Sequence, residues 1–268
     1  MARATPDSPP PGPPELVAPS AWRAIDFVSD LHLAADTPRT LDAFAAYLDA
    51  TSADAVLILG DLFEVWVGDD ARDGEFERRC IALLARTAQR GRTLGLMVGN
   101  RDFLAGAGLR AAAGLLELPD PTVLVAFGRR VLLTHGDALC LADTDYQRFR
   151  AEVRGAAWQA AFLARPLAER HALARGLRDA SEQRKRAMAD WPDIDAAAAS
   201  RWLDAAGAPT LVHGHTHRPG SGVVSAGRTR HVLSDWDADH GSPRAEVLRL
   251  DARGFSRLAP AAAGTPPA

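Results

Sequence analysis

Five short stretches of this chain carry oxygen and imidazole donors at spacings that suit metal ions. They are Asp30-Leu31-His32, Gly60-Asp61, Gly99-Asn100-Arg101-Asp102, Thr134-His135-Gly136-Asp137 and Gly214-His215-Thr216-His217. Residues two apart at a strand end share a face, so Asp30 and His32 can grip one ion, and His215 and His217 repeat that arrangement. Asp61 stands alone, and a lone carboxylate between two ions is a natural bridge. Asn100 offers a neutral amide oxygen and His135 another imidazole. Two ions about 3.5–4 Å apart suit in-line displacement at phosphorus. The mixed nitrogen and oxygen set suits Mn, Fe, Co or Zn and does not choose among them. The chemistry expected is metal-assisted hydrolysis of a phosphate substrate.

Elements must bring these donors together. Nearly every stretch follows a short apolar run: Ile25 to Val28, Val56 to Leu59, Leu94 to Val98, Val131 to Leu133, Leu211 to Val212. Such runs, bounded by Gly and Asp, read as buried strands. In open α/β sheets functional groups gather past the carboxyl ends of strands. Each motif alone is commonly a turn or a surface loop; their occurrence in order, each at a strand end, carries the reading. Leu41 to Ala50 and Glu75 to Arg90 show helical periodicity, so strands and helices alternate as in an α/β sheet. From about 146 to 203 the pattern is helical and rich in Ala, Leu and Arg, an insertion between two ligand-bearing strands. After His217, strands are expected at Gly222 to Ser225, His231 to Leu233 and Ala245 to Leu250, pairing as antiparallel neighbours.

The bulk numbers bound the rest. A chain of 268 residues can build one sizeable core. A net charge of -3 gives no bulk case for nucleic-acid binding. Cys80 and Cys140 lack CxxC spacing, which fits a reducing compartment and no disulfide scaffold. No stretch approaches the roughly 20 apolar residues of a transmembrane helix. Seven prolines in the first twenty residues predict a disordered arm over 1–21, followed by one domain over 22–258 and a loose tail over 259–268.

The set D-x-H, GD, GN-R-D, H-G-D and GHTH resembles the calcineurin-like metallophosphoesterase superfamily over about Ile25 to Leu250. Within it, SDLHL, GDLFEVWVGDD, GNRDF, THGDALC with DTDYQRFR, and HGHTHRP are similar to the pyrophosphatases acting on UDP-2,3-diacylglucosamine in lipid A synthesis. The resemblance implies a sandwich of mixed sheets flanked by helices, with a helical lid. It implies one metal held by Asp30, His32, Asp61 and His217, and a second by Asp61, Asn100, His135 and His215. It implies two Mn²⁺ per chain, with Mg²⁺, Co²⁺ and Zn²⁺ left open by the sequence. Asp61, Asn100 and Arg101 are the expected catalytic residues. The implied substrate contacts are Asn100, Arg101, Asp143, Tyr146, Arg178, Ser181, Lys185 and His215, with Met188 one helical turn beyond Lys185. The implied reaction gives UMP and 2,3-diacylglucosamine 1-phosphate by hydroxide attack on the α-phosphorus.

Two residues add arguments of their own. Many members of the superfamily carry His where this chain has Arg101. Arginine cannot donate a proton near neutral pH but grips phosphate with a planar fork. A departing phosphate monoester needs no acid, so Arg101 favours an anhydride over a simple ester. Lys185 is the only lysine among 31 basic residues, which suggests a wanted ammonium. The Arg excess of the insertion (148, 150, 154, 165, 170, 175) suits an anionic membrane surface. The protein is therefore expected to be a cytoplasmic monomer, peripheral on the cytosolic face of the inner membrane, with an acylated UDP-sugar and no nucleic acid as partners. The competing readings are a nucleotide or cyclic-nucleotide phosphodiesterase on the same scaffold, and a non-catalytic scaffold.

Overall fold

The computed structural model describes residues 12–187 and 192–266, with side chains of 179–187 excepted. Its strands are β1 (Glu15–Val17), β2 (Ala24–Val28), β3 (Ala55–Leu59), β4 (Thr93–Met97), β5 (Leu115–Glu117), β6 (Thr122–Ala126), β7 (Arg129–Thr134), β8 (Thr210–His213), β9 (Gly220–Ser225), β10 (Arg228–Val232), β11 (Val247–Asp251) and β12 (Gly254–Leu258). Its α-helices are α1 (Pro38–Ala50), α2 (Glu75–Gln89), α3 (Ala107–Ala113), α4 (Thr144–Val153), α5 (Ala156–Leu163), α6 (Leu167–Ala187) and α7 (Ala196–Ala206). One six-stranded sheet runs β1-β6-β7-β8-β10-β9 and the other β12-β11-β2-β3-β4-β5.

Both sheets are mixed, and strand periodicity explains how they stack. Ile25, Phe27, Leu57 and Leu59 point into a core shared with Leu124, Val131, Leu133 and Val212 of the facing sheet. Alternate residues Val28, Val56 and Ile58 point the other way, onto Phe44 and Leu48 of α1 and Leu83 and Leu84 of α2. On the far side, Val123, Leu132 and Leu211 pack against Trp202 and Leu203 of α7. The expected sandwich flanked by helices is therefore the architecture observed. The strands carrying the metal-site motifs fall as expected. α1 starts earlier than its apolar pattern does, because Pro38 occupies the first turn, where no N–H is needed.

Four expectations need correction. The arm is not disordered throughout: Glu15–Val17 pairs in parallel with β6. The edge of β6 offers backbone groups that a short segment can satisfy, and Leu16 packs on the inter-sheet core. The strands after His217 do not form one antiparallel set. β9 and β10 pair as a hairpin on one sheet, whereas β11 crosses to pair with β2 and β12 on the other. All five residues of β11 are buried, so it needs neighbours on both sides. The tail also docks: Ala263 is fully buried, and its carbonyl accepts from Ser52 N–H at 3.0 Å and from Arg249 at 2.8 Å. Lastly, the helical stretch is not all insertion, because α7 packs on a sheet; the inserted helices are α4 to α6.

Arg249 shows why β11 and the tail sit where they do. Its guanidinium meets the fully buried Asp26 carboxylate at 2.7 and 3.0 Å, and its remaining N–H groups donate to Thr51 Oγ1 and to the carbonyls of Ala263 and Thr265. Removing one partner of a buried pair strands the other charge. Arg249→Ala should therefore cost about 3–5 kcal/mol in urea unfolding. A loss under about 1 kcal/mol would show that the pair is not isolated from water.

Candidate metal centre

The donors lie just past the carboxyl ends of β2, β3 and β4 of one sheet and β7 and β8 of the other. There the chain must turn sharply while aiming side chains inward. Asp30, His32, Asp61, His215 and His217 all adopt positive φ, between 48° and 65°. For a residue with a Cβ this costs about 1–2 kcal/mol, and such strain collects at functional sites. Backbone bonds hold the turns: Asp30 N–H donates to the Gly60 carbonyl and His32 N–H to that of Asp61. His215 N–H donates to the Asp30 carboxylate at 3.0 Å. Two glycines make room. A Cβ on Gly99 would lie 2.1 Å from Asp61 Oδ1, and one on Gly214 would lie 2.4 Å from Asp30 Oδ2.

The donors form two groups that meet at Asp61. In the first, His217 Nε2 lies 3.3 Å from Asp30 Oδ1 and 3.3 Å from His32 Nε2, with Asp61 Oδ2 4.0 Å from His32. In the second, Asn100 Oδ1 lies 2.9 Å from His135 Nε2 and 2.8 Å from His215 Nδ1, and His135 Nε2 is 3.7 Å from Asp61 Oδ1. Each oxygen of Asp61 faces one group. Asp30, His32 and His217 converge closely enough to hold an ion, as do Asp30, Asp61 and His135.

The proton inventory favours cations here. The Leu59 carbonyl only accepts, so His135 Nδ1, 2.9 Å away, carries the proton. In a neutral ring Nε2 is then a lone pair, facing the lone pairs of Asn100 Oδ1. Glu64 Oε2 lies 2.8 Å from His32 Nδ1, which leaves His32 Nε2 facing His217 Nε2. Burial disfavours a charged His135, yet the Asp61, Asp137 and Asp30 carboxylates outweigh it and push its pKa up to about 9. A pocket that gathers acceptors and pulls in protons suits divalent ions.

Supporting groups fix the ligands. Asp102 accepts from Leu62 N–H at 2.8 Å and Gly99 N–H at 2.7 Å, tying two ligand turns together. Burial and the Asp61 carboxylate push its pKa up to about 6. Burial opposes charge on Glu64, but His32, Arg101 and Arg178 hold its pKa down at about 2. Its Oε1 lies 3.0 Å from Arg178 Nε and 3.6 Å from Arg101 Nη1. Asp137 accepts from Tyr146 Oη at 2.5 Å and Arg150 Nε at 2.7 Å.

With this geometry the likeness to known proteins becomes specific. The model of the calcineurin-like phosphoesterase family matches residues 24–219. The chain belongs to the calcineurin-like phosphoesterase family. This phosphoesterase is 47% identical over 241 residues to UDP-2,3-diacylglucosamine hydrolase of Chromobacterium violaceum, covering 88% of this chain and 98% of that protein. It is 45% identical over 236 residues to the Ralstonia nicotianae protein of that name, covering 84% and 88%. The Aromatoleum aromaticum protein is 47% identical over 234 residues, covering 85% and 93%. Membership makes the chain a metal-dependent hydrolase with a divalent-metal centre.

The phosphoesterase brings together all seven expected ligands: Asp30, His32, Asp61, Asn100, His135, His215 and His217. Arg101 donates its backbone N–H to Asp61 Oδ1 at 2.8 Å and lines the adjoining clefts. Tyr146 stacks on His215, with ring centroids 5.9 Å apart, and lines a cleft with Arg178. Asp143 instead caps α4, accepting from Tyr146 N–H at 3.1 Å. Ser181 and Lys185 lie on α6 with side chains outside the described residues, and Met188 lies outside them altogether. Of the arginines assigned to a membrane, Arg150 holds Asp137, Arg154 donates to the Gly99 carbonyl at 2.8 Å, Arg165 pairs with Glu169, and the buried Arg170 binds Asp70 and the Val67 carbonyl. Arg150, Arg154 and Arg170 thus spend their charge inside the fold, whereas Arg165 and Glu169 form an exposed pair, which corrects that part of the sequence argument for three of the arginines.

Glu64 and the pairing of Asp137 with Arg150 were missed, since a carboxylate three residues past Asp61 looks like any loop carboxylate until its partners are known. Partners that orient a ligating histidine typically carry about 10–100-fold in metal affinity. Glu64→Ala should therefore weaken Mn²⁺ binding by about that factor in calorimetric titration; unchanged affinity would show that His32 is oriented without it. Asp61→Ala should abolish turnover in metal-containing buffer, because both donor groups lose their shared carboxylate. Activity within about tenfold of the parent would remove the bridging role.

Proposed function

We propose that this phosphoesterase hydrolyses the pyrophosphate bond of UDP-2,3-diacylglucosamine, giving UMP and 2,3-diacylglucosamine 1-phosphate in lipid A synthesis. The observation that carries this is an apolar cleft opening beside the metal centre. It holds about 970 Å³, part of it open to solvent, and Asn100 and Arg101 stand at its inner end. Trp66 and Phe103 line its floor, and Phe149 of α4, Trp158 and Phe162 of α5 and Leu177 of α6 line its roof. A small soluble nucleotide has no use for such walls, whereas acyl chains do. The relatives' printed name, UDP-2,3-diacylglucosamine hydrolase, supports the same substrate.

When bound, two divalent ions, Mn²⁺ in this proposal, acidify water and neutralise charge building on the phosphoryl oxygens. The chain supplies the rest. Arg101 grips the phosphoryl group as a fork of donors, and Glu64 steadies that guanidinium. Because Arg101 cannot protonate a leaving group, the reaction suits an anhydride whose departing phosphate is already weakly basic. Arg178 reaches Glu64 from the lid, and Ser181 and Lys185 follow it at helical spacing as further contacts to the sugar end. Asp143 would act by setting α4, and through it Tyr146. Leu163, Leu173 and Leu177 of the lid are exposed at 42%, 41% and 47%. They are the surface through which a monomer would rest on the cytosolic face of the inner membrane, and no described helix is long and apolar enough to cross one. A cyclic-nucleotide phosphodiesterase would share the ligands but leave the apolar cleft without purpose.

Incubation with the acylated UDP-sugar and Mn²⁺ in heavy-oxygen water should yield labelled UMP and unlabelled diacylglucosamine 1-phosphate. Turnover confined to cyclic nucleotides would overturn the proposal. Phe149→Ala should lower kcat/KM on the acylated substrate by about tenfold or more, as expected for losing 1.5–3 kcal/mol of aromatic burial. Its effect on a small phosphodiester should be several-fold smaller; equal losses would place the damage at the metals. Arg101→His should retain both ions, by metal analysis, yet slow pyrophosphate cleavage; an unchanged rate would show that Arg101 does not touch phosphate.

A further inference from the structure

A second cleft, of about 960 Å³ and also open to solvent, adjoins the metal centre at His32 and His217. The two clefts share only Glu64, Arg101 and Arg178. The ligands divide between them: Asn100 lines the apolar cleft, whereas His32 and His217 line the second. The second cleft has a different character. Its walls include Asp36 and Thr37 ahead of α1 and Asp235, Trp236, Asp237 and Arg244 after β10.

We infer that this polar cleft is the nucleoside subsite, holding the ribose and base of the leaving UMP. The inference rests on the proposed substrate. In that substrate the attacked α-phosphorus is bonded directly to the nucleoside 5′ oxygen, so the ribose must begin against the metal centre. The acyl chains hang from the far side of the pyrophosphate and claim the apolar cleft. The other described cleft that adjoins the metal centre is the polar one.

Its chemistry fits a neutral, hydroxylated group better than a second phosphate. Beyond Glu64, Arg101 and Arg178, which both clefts share at the metal centre, Asp36, Asp235 and Asp237 outnumber Arg244, and Arg244 is already drawn to Asp235 at 2.9 Å and Asp237 at 3.4 Å. Asp36 is exposed and makes no hydrogen bond among the described residues, and a carboxylate can accept from both hydroxyls of a ribose diol. Trp236 is 3% exposed, and its indole N–H has no partner among the described residues. Thr37 and Thr40 are not available, because Thr37 Oγ1 donates to the Ala34 carbonyl and Thr40 Oγ1 to Asp239. Asp36 is therefore the residue that selects the ribose, and His240, whose side chain is 73% exposed, stands on the cleft wall.

The test is equilibrium binding of UMP and of 2,3-diacylglucosamine 1-phosphate to the Mn²⁺-loaded protein by calorimetry. Asp36→Ala should raise the Kd of UMP by about tenfold, as expected for losing a charge-assisted contact. His240→Trp, which narrows the cleft, should raise it as well, and neither should shift the Kd of the lipid product. Melting curves establish that both variants are folded, and if His240→Trp is not, Asp36→Ala decides alone. Unchanged UMP affinity in the folded variants would overturn the inference. So would loss of UMP binding in Ala174→Trp, which fills the apolar cleft instead. UMP binding is read without turnover, so failure of the parent to cleave the acylated UDP-sugar counts against the proposed function and not against the cleft assignment.

Discussion

Asp61 is the constraint around which the site is organised. Its two oxygens face different donor groups, so a small rotation of one carboxylate would spoil both. The structure denies it that rotation. Arg101 N–H holds Oδ1 at 2.8 Å, and the Cα of Gly99 packs where any Cβ would collide with it. Asp102 bonds the turns on either side. The positive φ of five ligands follows from the same demand. The chain must leave each strand and fold back within one or two residues, and the surrounding hydrogen bonds maintain a conformation that an isolated Asp or His would avoid.

That rigid centre is wired to helices α4 and α6 by charge. Glu64 contacts His32 on one side and Arg178 of α6 on the other. Asp137, two residues past His135, receives Tyr146 and Arg150 of α4, and Arg154 reaches the Gly99 carbonyl. The helices that roof the apolar cleft are thus attached at the ligand turns, in addition to packing on the core. Buried Arg170 adds a further clamp, on Asp70 and the Val67 carbonyl. Contacts of this kind set the height of the roof over the reacting phosphate, so cleft shape and ligand geometry are linked.

Much of this was legible in the sequence, for a physical reason. Buried parallel strands need continuous apolar runs, and the donors must follow them directly, so Val56 to Leu59 followed by Gly60-Asp61 leaves little freedom. What escaped reading depends on partners distant in the chain. β1 owes its existence to the open edge of β6, and nothing in its proline-rich surroundings announces that edge. The tail after Leu258 docks because Arg249 has donors to spare. The arginines of the insertion look like a basic surface in sequence, but carboxylates and carbonyls in other elements engage Arg150, Arg154 and Arg170. Glu64 and Asp36 are ordinary loop carboxylates until the fold sets one against His32 and the other at the mouth of a polar cleft.

The central claim is that one carboxylate joins two metal sites into a single centre. Electron paramagnetic resonance of the Mn²⁺-loaded protein tests this directly, because ions about 3.5–4 Å apart and sharing a bridging ligand are magnetically coupled. The account predicts two Mn²⁺ per chain and the spectrum of an exchange-coupled pair. A single bound ion, or two giving only the six-line spectrum of isolated Mn²⁺, would contradict it.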